Sequence, residues 1–188
     1  MKVALVTLLF TVSALAQPPL TNPRSACGRE DTDFKVKLDD SQHTVTQPEA
    51  GKARVYLIHD AGTGSLFAYP TTKLAVDGAW VGANHGNSYL AVSIEPGEHH
   101  LCATLQSSVV EDRVELAHFT AEAGKVYYYR TRLVMSKEVE LLELDSIDSD
   151  QGQYLVASFP LSVSTPKKKS GGEQPRQKYR YGTQPPSK

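Results

Sequence analysis

The chain has 188 residues, 40% of them apolar, and a formal net charge of −1. This suits one ordinary domain with room for tails, and it excludes a chain that is disordered throughout. The charge is unevenly split: residues 165–188 carry seven basic side chains against Glu173 alone, or +6, leaving −7 on the rest.

The N-terminus reads as an export signal. Lys2 supplies a positive start, residues 3–12 are apolar except for Thr7 and Thr11, and Ala14-Leu15-Ala16 ends the run with small residues. The run is far short of the roughly 20 residues that span a bilayer. We therefore expect a signal peptide over 1–16, cleavage after Ala16, and a soluble product outside the cytoplasm. No cysteine stands directly after the cleavage site, so lipidation is not expected, and no other stretch suits a transmembrane span. Residues 17–33 hold Pro18, Pro19 and Pro23 and should form an extended leader.

From Phe34 the pattern changes to short alternating runs. Phe34, Val36 and Leu38 alternate with Lys35 and Lys37, the period of a half-buried strand. Residues 41–50 are polar and form a loop. Residues 52–59 are apolar on both faces, which predicts a central strand. The loop 60–65 has Gly62 and Gly64 but no Gly-Lys-Ser/Thr, so it is not a phosphate cradle. Leu74 and Val76 lead into Asp77-Gly78, a pair that favours a type I′ turn, with Trp80 leaving it. Further strands are expected over 88–95, 98–107, 113–121 and 126–135. Pro96-Gly97 and Ala123-Gly124-Lys125 turn the chain between them, and Tyr127 and Tyr129 share one face with Tyr128 on the other. One turn about every 8–12 residues marks a sandwich or barrel. The expected fold is all-β, an immunoglobulin- or transthyretin-like β-sandwich over 34–164.

In this order, Gly51-Lys52-Ala53-Arg54-Val55-Tyr56, Val76-Asp77-Gly78 with Gly82, Pro96-Gly97-Glu98-His99 and Ala123-Gly124-Lys125-Val126-Tyr127-Tyr128 resemble a bacterial secreted family. It is the one catalogued as domain of unknown function 2846, and the PEGA-type surface modules look like distant relatives. The resemblance covers about 51–159. It implies an extracytoplasmic β-sandwich from a bacterium and carries over no catalytic residue.

Beyond Met135, residues 138–144 read as one more strand. Asp148 stands three residues before Gln151, a capping-box spacing, and Tyr154, Leu155 and Phe159 follow at helical intervals up to Pro160. A short helix over 149–158 should pack on one edge or end of the sandwich. Gly152 should weaken it by about 1 kcal/mol relative to Ala. Residues 165–188, rich in Lys, Pro, Gly and Gln, cannot bury enough surface to offset the entropy of ordering and are expected to be a disordered tail.

The candidate chemistry is sparse. His99 and His100 are adjacent, so on a strand they point to opposite faces and cannot chelate one ion together. His43, His59, His85 and His118 are scattered, and no zinc-type spacing occurs. Asp145, Asp148 and Asp150 fit helix capping better than a calcium loop. There is no Gly-x-Ser-x-Gly elbow. Trp80, Tyr89, Tyr127 and Tyr129 either line an aromatic face for a glycan or peptide or belong to the sandwich core, and core is the favoured reading. Lys167, Lys168 and Lys169 could contact an anionic envelope polymer; nucleic acid is not expected as a partner of an exported chain. Cys27 and Cys102 are even in number and sit where thiols oxidise. Their pairing would pin the leader to the sandwich, against the alternatives of two free thiols or a bridge between chains.

These observations lead us to expect no cofactor and a non-enzymatic binding or structural module of the cell envelope, with an envelope protein or glycan as partner. Two alternatives stay open. One is a hydrolase-type enzyme whose site is assembled from distant residues such as His85, His100 and Asp77. The other is a polyanion-tethering protein acting through its basic tail.

Overall fold

The structure, a computed structural model, describes residues 23–29, 32–62, 71–106, 114–136 and 139–168. The expected signal peptide and most of the expected tail, Lys169 included, lie outside these residues. Among the described residues, ten strands and one helix follow a 3-10 turn at Pro23–Ala26: β1 Thr32–Asp39, β2 Ala53–Asp60, β3 Thr71–Val76, β4 Ala79–His85, β5 Ser88–Ile94, β6 Gly97–Leu105, β7 Val114–Ala121, β8 Val126–Ser136, β9 Val139–Ile147, α1 Ser149–Ser158 and β10 Leu161–Lys168. They form two facing sheets, β1-β10-β5-β2-β8-β9 and β4-β3-β6-β7. The fold is an all-β sandwich with one short helix, as the turn spacing predicts.

The alternation of β2 explains its central place. Ala53, Val55 and Leu57 face the four-stranded sheet and meet Leu74, Leu101 and Ala103 in the main core. Tyr56 and Ile58 point to the other face, where Leu155 and Val156 of α1 cover them. Both faces of β2 are buried, which removes the polar side that an exposed strand would show. Its two neighbours differ in direction: β5 runs antiparallel to it and β8 parallel.

Turn and cap chemistry follow the residues. Asp77 and Gly78 both adopt positive φ, 50° and 80°, the pair of values a type I′ turn demands. Asp148 caps α1, its Oδ1 accepting from the Gln151 N–H at 2.9 Å. Gly152 is buried, and a Cβ built there would lie 2.2 Å from Tyr128 Cγ and 2.4 Å from Cδ1. The glycine lets the helix backbone settle on the Tyr128 ring.

The tail begins later than composition predicts. β10 continues to Lys168, and Thr165–Lys168 pair with Thr32–Lys35 of β1. Pro166 is accommodated because its partner Phe34 turns both main-chain groups away from β10: the Gln106 side chain accepts from the Phe34 N–H and donates to its carbonyl at 2.9 Å. Phe34 and Pro166 are therefore a non-hydrogen-bonded pair. The missing proline N–H faces a side where β10 has already parted from β5, since the two strands pair only at Leu161.

The end of the leader is more firmly held than its sequence predicts. Cys27 and Cys102 are bonded, with Cα atoms 5.2 Å apart and 75 residues of separation. Ala26 is buried, its carbonyl accepts from Gly78 N–H at 3.0 Å, and Trp80 Nε1 donates to the Arg29 carbonyl at 2.8 Å. Gly28 lies flat under the Trp80 ring, where an added Cβ would stand 2.3 Å from Cδ1.

Candidate functional site

Alternation sends the four aromatic residues to three separate places, so they do not form one binding face. Tyr127 and Tyr129 point inward from β8 and both touch Phe119, at ring separations of 5.1 and 5.2 Å. Tyr89 lies on the opposite face of the same sheet, beside Tyr56 under α1. Trp80 stands outside the four-stranded sheet, between the leader and Lys73, whose ammonium is 4.8 Å from the ring. Tyr89 and Tyr129 are buried.

Two ends of the sandwich collect polar groups. At the β3–β4 turn, Asp77 uses both carboxylate oxygens on the chain itself. Oδ1 accepts from the His100 N–H at 2.8 Å, and Oδ2 lies 2.6 Å from His99 Nδ1. The other nitrogen of His99 is 2.7 Å from the Glu95 carbonyl. Both ring nitrogens therefore face an oxygen of the chain. His85 is far from this group. It closes β4 at the opposite end, about 20 Å away at a strand's rise per residue, beside Thr71. The structure does not bring His85, His100 and Asp77 into one site.

The second polar group lies between the sheets, near the other end, on residues that sequence spacing does not connect. His59 is fully buried at the end of β2, with Nδ1 2.9 Å from Thr131 Oγ1 and 3.4 Å from Thr72 Oγ1. Thr131 donates its own hydroxyl proton to the Ile58 carbonyl, so it accepts from His59 and fixes the proton on Nδ1. Nε2 is then a lone pair, and among the described residues it has no partner. Asn84 stands across from Thr72 on the same inner face and donates to the Leu57 carbonyl at 2.9 Å, while its Oδ1 is likewise unpartnered. Two buried acceptors face inward without a donor, which suits an internal water or a small donor group. Burial lowers the His59 pKa to about 4, so the ring is neutral at physiological pH. The only sequence cue was a histidine in the inward phase of an otherwise apolar strand; its partner Thr131 lies 72 residues away.

Lys167 is exposed on β10 opposite Asp33, inside a sheet rather than in a tail. Among the described residues, no three His, Cys, Asp or Glu side chains are grouped to hold a metal ion, and no helix is long and apolar enough to cross a membrane. The family described as "Protein of unknown function (DUF2846)" matches residues 49–143, from just before β2 into β9. No curated protein and no solved structure matches the chain.

Proposed function

The chain belongs to the DUF2846 family, and from that premise we propose that it is an extracytoplasmic, non-enzymatic binding or structural module of the bacterial cell envelope. The observation that carries this reading is the Cys27–Cys102 bond. Such a bond persists in the periplasm or outside the cell and is rare in the cytosol. It also does structural work suited to an exposed module, since it fastens the leader across the β3–β4 turn. The non-enzymatic part is supported by how the polar groups are used. The Asp77 carboxylate is occupied by the His99 ring and the His100 main-chain N–H, and the His59 ring is held by Thr131 and buried in the core.

A second reading, tethering to an anionic polymer through the basic C-terminus, is favoured by one observation. β10 anchors the root of that segment on the sheet and presents Lys167 outward. Expression of the full chain in a bacterium tests the first reading. Exported protein should start at or near Gln17, resist alkylation at both cysteines without reduction, and bind saturably to an isolated envelope fraction. Retention in the cytoplasm with Met1 intact, or no saturable binding, would overturn it. Binding that vanishes in high salt and on removal of residues 169–188 would favour the tail reading.

A further inference from the structure

The pairing of β6 with β7 places His100 directly opposite His118 on the outer face of the four-stranded sheet. The two rings are 4.9 Å apart. The main chain shows why they are so close. His100 gives its N–H to Asp77 Oδ1, and its carbonyl accepts from the Asp77 N–H at 2.9 Å. Both groups point away from β7, so His100 and His118 form a non-hydrogen-bonded pair, the closer of the two kinds in an antiparallel ladder. The same two bonds fix the His100 backbone from the β3 side. Glu98 precedes His100 by two residues on the same face, and its Oε2 is 4.0 Å from His118 Nε2. His100 is half-buried and the His118 side chain is 54% exposed, so the pair lies at the solvent-facing surface of the sheet.

We propose that His100 and His118 form a two-imidazole site for a divalent first-row transition ion, with Cu(II) held most tightly and Zn(II) less so. Imidazole nitrogen is a preferred donor for both, and the order follows the general affinity series. A shared ion needs one nitrogen of each ring at about 2.0–2.1 Å. Rotation of two rings that already face each other supplies that arrangement without moving the strands. Water fills the remaining positions, and the Glu98 carboxylate beside the pair offsets part of the ion's charge. Two donors are fewer than a structural metal centre uses, which suits a surface site that exchanges its ion. This inference stands apart from the envelope reading and does not depend on it.

The test uses the full, oxidised chain without a histidine tag, titrated calorimetrically with Cu(II) or Zn(II) alone. One ion should bind per chain, and the Cu(II) electron paramagnetic resonance spectrum should show coupling to two imidazole nitrogens. His118→Gln and His100→Gln should each weaken binding by no less than the roughly 10–100-fold that loss of an outer-shell partner costs. His43→Gln, on a distant loop, should leave it unchanged. An unaltered thermal midpoint in His118→Gln guards against a folding artefact, and the nitrogen coupling in the unaltered chain is independent of any variant. Absence of binding, coupling to fewer than two imidazoles, or binding that survives both substitutions would overturn the proposal.

Discussion

Gly152→Ala sets two effects of opposite sign against each other. Helix propensity alone favours alanine in α1 by about 1 kcal/mol. The structure opposes it, because the new Cβ would lie 2.2, 2.4 and 2.8 Å from Tyr128 Cγ, Cδ1 and Cβ. These atoms are the root of the ring, not a mobile tip. Tyr128 cannot retreat, since it is 5% exposed and stacked on Tyr56 at 5.4 Å. Overpacking of a filled core costs about 1–3 kcal/mol, and displacing a ring at its root belongs at the upper end. The net expectation is a loss of about 2 kcal/mol, or a thermal midpoint lower by about 4–8 °C for a domain of this size. Thermal unfolding of the oxidised protein followed by circular dichroism measures it. In a Tyr128→Ala background most of that packing cost should disappear, because Cγ and Cδ1, the two nearest atoms, are gone and only Cβ at 2.8 Å remains. An alanine variant that melts at or above the unaltered chain would refute the packing argument and leave propensity in charge.

His59 predicts acid sensitivity. Its folded pKa of about 4 lies below the unfolded value of 6.5, so stability is fully present above pH 6.5 and falls as pH drops towards 4. The loss is about 3 kcal/mol, and denaturant titrations at pH 7 and pH 4.5 should show this pH dependence reduced in His59→Gln. Reducing the Cys27–Cys102 bond opens a loop with 75 residues of separation and should cost about 4 kcal/mol in the chain-entropy model; an unchanged denaturation midpoint after reduction would sink that estimate. Truncation after Lys168 should leave the thermal midpoint alone, whereas truncation after Ser164 should lower it by removing the pairing of Thr165–Lys168 with β1. Equal midpoints for the two truncations would show that this pairing contributes nothing.

Local features were legible and non-local ones were not. Asp77-Gly78 announced its turn, Asp148 its cap, and the alternation of β2 its two buried faces, because each depends on a few neighbouring residues. Strand partners depend on register across the whole chain. Nothing near His100 indicates that His118 lies opposite, and nothing near His59 points to Thr131. Composition misjudged 165–168, since lysine and proline read as solvent-loving even where a strand pairs along one side only. The Gly152 penalty was charged to the helix alone, because sequence gives no sign of the tyrosine ring lying beneath it.

The placement of β1 has a consequence for the order of folding. Its ladder partner is β10, so nearly the whole domain separates the two strands. During synthesis or export from the N-terminus, β1 emerges first and waits, unpaired, until the last strand arrives. Closing so long a loop carries an entropic cost that grows with the logarithm of its length, and such non-local pairing slows folding. The bond from Cys27 to Cys102 can form as soon as β6 is out. It then holds the first strand beside the half-built sandwich and turns a search across the full chain into a short local one. A reductant present from the start should therefore slow the final folding phase as well as lower the final stability.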